Sequence, residues 1–108
     1  MSKKYEIYIG LKDKDTYKEI FSTEDFAKIL SSHCSRTKIG FSLVNQFGGY
    51  SHNKGYVTET STRITLYGID EEEVKKLGQD LKEIVNTDTI MITCEDSEFY
   101  YLWSIFIS

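Results

Sequence analysis

Glu59, Ser61 and Arg63 stand at alternate positions of a Thr-, Val- and Ile-rich run, and they form the chain's strongest chemical constellation. Alternate residues of a strand point to one side, so a carboxylate, a hydroxyl and a guanidinium can converge there on one ligand. The same alternation describes an ordinary solvent face or a row of inter-subunit ion pairs. His52, within Tyr50-Ser51-His52-Asn53-Lys54, titrates near neutrality and reads either as an acid/base or metal-ligating group or as a solvated loop histidine. Arg36 and Lys38 add an anion contact or are plain surface charges. His33, next to Cys34, reads as a cation near a helix C-terminus, where the dipole favours it.

No Ser-His-Asp, Cys-His or paired-carboxylate arrangement stands out. Ser42 lacks the GxSxG elbow, and the triplet Glu71 to Glu73 is explained by the positive end of a helix. Cys34 and Cys94 are isolated, with no spacing that makes a zinc site. The expectation is therefore no metal and no cofactor. Tyr50, Tyr56, Tyr100 and Tyr101 are of the type that interfaces enrich, which favours binding over turnover.

Most of these residues belong to, or flank, one segment, Gly40 to Arg63, which holds Gly40, Gly48, Gly49 and Gly55 out of 7 glycines in the chain. Glycine supplies backbone freedom, and function concentrates on loops, so residues 45–58 are expected to form a protruding, ligand-engaging loop. The elements that must hold it can be read from periodicity. Tyr5 to Leu11 alternates polar and apolar, the pattern of a half-buried strand. Ser22-Thr23-Glu24-Asp25 supplies an N-cap and first-turn carboxylates, and Phe26, Ile29, Leu30 and His33 then make a helical stripe. Lys38 to Phe47 and Tyr56 to Tyr67 read as the strands on either side of the loop, the latter with Ile64 and Leu66 turned inward. Asp70 and Glu73 have capping-box spacing before a second stripe, Val74, Leu77, Leu81, Ile84 and Val85. Ile90, Ile92 and Cys94 alternate in a fourth strand, Glu95-Asp96-Ser97-Glu98 reads as an acidic turn, and Phe99 to Ile107 is almost wholly apolar.

That order predicts an α+β, ferredoxin-like βαββαβ sandwich with an extra C-terminal strand, in one domain spanning 1–108. With 108 residues, 40% of them hydrophobic, the chain suits one core and not two. The net charge of -4, from 13 basic and 17 acidic residues in mixed order, argues against nucleic acid as a partner. No apolar run approaches the ~18 residues of a membrane span, so a soluble, cytoplasmic protein is expected. Helices on one sheet face leave the other to be covered, most cheaply by a second copy, which predicts a homo-oligomer.

Residues 39 to 67 resemble the strand, loop, strand segment of the PII and CutA group of trimeric ferredoxin-like proteins, through Gly40-Phe41-Ser42, Gly48-Gly49-Tyr50, Gly55 and the strand carrying Glu59. The chain is also similar to a domain family of unknown function in bacteria and their viruses, through Tyr8-Ile9-Gly10-Leu11, Gly40-Phe41-Ser42 and Glu59-Thr60-Ser61. The PII resemblance implies a trimer that binds an adenine nucleotide in clefts between subunits and meets a partner with its long loop. The sequence departs from that pattern after the second helix, where Asn86-Thr87-Asp88-Thr89 is acidic and lacks glycine. Such a loop does not cradle phosphate as the family's does. The first expectation is a non-enzymatic, oligomeric binding or regulatory protein using the 45–58 loop and inter-subunit clefts for a small molecule or protein. The alternatives are a small enzyme with an inter-subunit site, using Glu59, His52 and Arg63, and a virus-encoded inhibitor or decoy.

Overall fold

A computed structural model describes residues 2–53 and 55–102. Four strands and two helices follow in the order β1 (Ser2–Gly10), α1 (Thr23–Thr37), β2 (Ser42–His52), β3 (Gly55–Tyr67), α2 (Glu71–Val85) and β4 (Met91–Ser97). The sheet is antiparallel with spatial order β2-β3-β1-β4. This is the ferredoxin-like arrangement, in which each helix crosses between strands that are not neighbours in the sheet.

Local chemistry sets the helix boundaries. Ser22 Oγ accepts from the Asp25 amide at 3.1 Å, and Glu24 and Asp25 sit in the first turn of α1. Asp70 and Glu73 form a reciprocal capping box at the start of α2. Lys38 and Asn86 end the two helices in the left-handed conformation. Asn86 also donates through Nδ2 to Asp13 and Asp15, each at 3.0 Å, and so ties the loop after β1 to the end of α2.

The core lies between the helices and one sheet face. Tyr5, Ile7 and Ile9 of β1 and Ile64 and Leu66 of β3 meet Phe26, Leu30 and Cys34 of α1 and Val74, Leu77, Leu81 and Val85 of α2. Thr62 is buried among them, and its hydroxyl donates to the Ile9 carbonyl at 3.2 Å. Cys34 takes the place in the α1 stripe expected for His33, whose imidazole lies 3.6 Å from Asp80 on α2. Ile84 is 38% exposed, on the outer edge of its stripe.

Three expectations need correction. Residues 45–58 are not a long loop: Asn45 to His52 continues β2, Gly55 to Thr58 begins β3, and the two pair in register from Ser42↔Thr65 to His52↔Gly55. The aromatic and β-branched content of Phe47, Tyr56 and Thr58 outweighs the glycines, since two strands joined by a tight turn need no glycine-rich loop between them. The supposed acidic turn at Glu95 and Asp96 is strand, because these residues lie opposite Lys4 and Lys3 of β1 and pair with them. The C-terminal strand is absent from residues 99–102, which are irregular, and 103–107 lie outside the described residues.

The β2–β3 hairpin outruns the sheet. β1 reaches β3 only from Ser61 to Tyr67, so Gly55 to Thr60 pair with β2 alone. This arm, with Phe47 75% and Tyr56 72% exposed, stretches the molecule to 60 × 27 × 24 Å. Its radius of gyration, 15.8 Å, exceeds the ~13 Å of a compact chain of this size.

Candidate functional site

Because the buried residues of β1 and β3 share one parity, their alternates line the face that the helices leave open. Register gives that face as rows. Glu95, Lys4 and Tyr67 form one; Thr93, Glu6, Thr65 and Ser42 the next; then Met91, Tyr8, Arg63 and Val44; then Gly10, Ser61 and Gln46; and last Glu59 with Gly48. At the Tyr67 end, Phe99 packs edge-on at 5.0 Å between ring centroids, and Tyr101 packs on Phe99 at 5.9 Å. Apart from Met91 and Val44, the rest of the face is polar or glycine.

Its centre is a hydrogen-bonded chain. The Tyr8 hydroxyl donates to Glu6 Oε2 at 2.5 Å, and Lys4 Nζ reaches Glu6 at 3.1 Å and Glu95 at 3.2 Å. The Tyr8 hydroxyl, then Lys4, then Arg63 hold the Glu6 carboxyl below its usual range. The same bond pushes the Tyr8 phenol up, because losing its proton would set two negative charges side by side. A hollow of about 220 Å³ opens here, lined by Lys4, Glu6, Tyr8, Thr93, Cys94 and Glu95.

Glu59 lies at the other end under different conditions. Its register partner is Gly48, where an added Cβ would meet nothing within 4 Å. On the β1 side its carboxylate leans over Gly10, so closely that a Cβ there would stand 2.7 Å from Oε1. Glycine on both flanks leaves the carboxylate in a gap that side chains would otherwise fill. Arg63, two rows away, is partly buried, and its Nε is sealed from solvent without an acceptor among the described residues.

The structure therefore brings together three of the residues singled out by sequence, Glu59, Ser61 and Arg63, and sets Gly48 beside them. Arg36 and Lys38 are elsewhere, exposed at the C-terminal end of α1 on the covered side of the sheet. Gly40 precedes β2, with nothing near it. Gly49 lies beneath the Tyr56 ring, and Gly55 has φ of 124°, which a turn into β3 requires. Tyr50 and His52 are placed in β2 by backbone register; their side chains lie outside the described residues. Sequence reasoning passed over Lys4, Glu6, Tyr8 and Gly10. Their signal was present: Glu6, Tyr8 and Gly10 are the polar alternates of the first strand, and antiparallel pairing of that strand with β3 sets Tyr8 opposite Arg63. Among the described residues no group of three or more His, Cys, Asp or Glu side chains could hold a metal ion.

No protein-family model and no curated protein matches this chain. Among solved structures it is similar to a phage SAM lyase in complex with S-methyl-5'-thioadenosine, at 26% identity and a TM-score of 0.71 over 88% of this chain and 81% of the lyase. It is likewise similar to a phage SAM lyase in its apo state, at 26% identity and a TM-score of 0.68, over 86% and 78% of the two chains. This likeness overturns the expectation of a non-enzymatic binding or regulatory protein: the similar structures are enzymes.

Proposed function

We propose that this chain is an enzyme that cleaves S-adenosylmethionine and releases S-methyl-5'-thioadenosine, with the open sheet face as one wall of the site. The observation that carries this reading is the likeness to the phage lyase bound to S-methyl-5'-thioadenosine, which extends over 88% of this chain.

The chemistry suits the residues on the face. The sulfonium is a built-in leaving group: as the S–C bond to the amino-acid side chain breaks, its electron pair passes to sulfur and the cation becomes a neutral thioether. A lyase consumes no water, so the four-carbon fragment completes itself. Either its own carboxylate closes on the carbon that sulfur leaves, or it gives up a neighbouring proton. The first route asks the protein for orientation, which is where an enzyme gains most for an intramolecular step. The second asks for a base beside that fragment; Glu59, with no partner among the described residues, is a carboxylate open to another part of the ligand. Because the sulfonium loses its charge in the reaction, a free carboxylate against it would favour substrate over transition state. Glu6 avoids that penalty, its charge being shared with Tyr8 and Lys4.

A homo-oligomer belongs to the same reading, with the trimer of the PII and CutA resemblance as its form and the substrate in clefts between copies. Supporting it are the helices on one side of the sheet only, exposed Phe47 and Tyr56 on the projecting arm, and exposed Tyr100 and Leu102 after β4. No helix among the described residues is long and apolar enough to cross a membrane, and we place the protein in the cytoplasm, where its substrate is made. The phage origin of both lyases supports a viral gene.

The test is direct. Purified protein incubated with S-adenosylmethionine should yield S-methyl-5'-thioadenosine by liquid chromatography and mass spectrometry, and light scattering should give a mass above that of the monomer. Intact substrate after prolonged incubation would sink the reading.

A further inference from the structure

The charges on the open face are unevenly spent. Lys4 is committed to Glu6 and Glu95, at 3.1 and 3.2 Å, and Glu6 also accepts from Tyr8 at 2.5 Å. Arg63 makes no direct ion pair among the described residues: its guanidinium adjoins the Tyr8 hydroxyl and its charge reaches Glu6, in the middle of the sheet between Tyr8 and Val44. Its Nε is both buried and without an acceptor. Glu59 cannot neutralise it: four positions along the same strand place the two backbones about 13 Å apart, with the Glu59 carboxylate over Gly10.

A half-buried guanidinium with an unsatisfied donor calls for an anion. Its planar fork of N–H groups matches a carboxylate in two parallel hydrogen bonds. S-adenosylmethionine carries one carboxylate, on the part of the molecule that S-methyl-5'-thioadenosine lacks. We propose that Arg63 binds the substrate's carboxylate, and that this contact distinguishes the substrate from the nucleoside product. The amino-acid end then lies in the Tyr8–Arg63 row, while the nucleoside extends toward Ser61 and Glu59, along the strand where glycines clear the face. Loss of the carboxylate anchor on cleavage weakens the hold on S-methyl-5'-thioadenosine and favours its release. This inference rests on the lyase reading and adds the orientation of the ligand to it.

The test pairs a deletion on the ligand with a deletion on the protein. S-adenosylhomocysteine and its decarboxylated form both lack the sulfonium, so neither offers the leaving group that cleavage needs, and they differ only in the carboxylate. Isothermal titration of the full chain should show the first binding at least about tenfold more tightly, as loss of charge-assisted hydrogen bonds implies. In Arg63→Ala that ratio should fall to within about twofold, and the affinity for S-methyl-5'-thioadenosine should stay within about twofold of the unsubstituted protein. Arg63→Lys, which keeps the charge but loses the fork, should fall between.

A ratio that persists in Arg63→Ala overturns the proposal, as does a parallel loss of S-methyl-5'-thioadenosine binding. A change of mass in solution with the ratio unaltered also overturns it, by showing that Arg63 pairs with a second copy. Should the variants fail to fold, the unsubstituted protein decides alone: equal affinity for the two homocysteine ligands refutes a carboxylate anchor. Binding of S-methyl-5'-thioadenosine with no such preference leaves the lyase reading standing without this inference, whereas binding of none of the three ligands removes both.

Discussion

Replacing Gly10 with alanine should disable the site while leaving the fold in place. Gly10 is the last residue of β1, and its φ lies outside the left-handed region, so the backbone accepts alanine. The obstruction comes from Glu59: an added Cβ would lie 2.7 Å from Oε1, 3.2 Å from Cδ and 3.3 Å from Oε2. Ordinary contact requires the carboxylate to withdraw by about 0.7 Å. These atoms are the free end of a flexible side chain, so rotation of Glu59 relieves the clash, and alanine recovers about 0.5–1 kcal/mol of backbone entropy relative to glycine in a strand. The Tm should therefore move by no more than about 5 °C in either direction. Activity should respond more strongly, since misplacing an essential group by ~1 Å costs up to ~100-fold. We expect kcat/KM for S-adenosylmethionine cleavage to fall by about 10- to 100-fold, read from initial rates of thioadenosine formation beside a calorimetric melt. An alanine variant with undiminished rate would refute a role for the Glu59 carboxylate in its observed position. A variant unfolded at room temperature would refute the claim that Glu59 alone gives way.

Other substitutions probe the scaffold and the polar chain. Phe26 is 0% exposed at the centre of the core, so Phe26→Ala should cost about 3–5 kcal/mol in urea unfolding, and a loss below ~1 kcal/mol would contradict its anchoring of α1. Asp70 accepts from the Glu73 amide at 2.8 Å, so Asp70→Ala should lower stability by about 1 kcal/mol, with no change in stability telling against the cap. Glu6 is held below the ordinary glutamate range, first by the Tyr8 hydroxyl, so its contribution is present above that range and is lost as pH falls through the folded value. The stability gap between the unsubstituted protein and Tyr8→Phe should accordingly be seen at neutral pH and close in acid. A gap that is constant across an acid titration would contradict the bond.

The sequence made the scaffold legible because each of its signals is local. The cap at Ser22, the box from Asp70 to Glu73 and the alternation of Ile7, Ile9, Ile64 and Leu66 arise from residues a few positions apart, and each stands where periodicity places it. Half of the candidate site was legible for the same reason, since Glu59, Ser61 and Arg63 share one strand. The other half depends on pairing between strands more than fifty residues apart, which sets Tyr8 beside Arg63 and Gly10 beside Ser61. Local patterning carries no such information. The glycines of residues 45–58 misled because glycine serves two ends: it permits loops, and it also empties a sheet face, as Gly10 and Gly48 do around Glu59. The proposed reaction class left no motif for a chemical reason, because the substrate proposed for it carries its own leaving group and needs no protein nucleophile.

The measurement that bears most directly on the account is the fate of S-adenosylmethionine incubated with the intact protein in water enriched in heavy oxygen, followed by mass spectrometry. A lyase should convert it to S-methyl-5'-thioadenosine with a four-carbon co-product that carries no heavy oxygen at early times. Unchanged substrate, or a co-product labelled from the first turnover as hydrolysis requires, would contradict it.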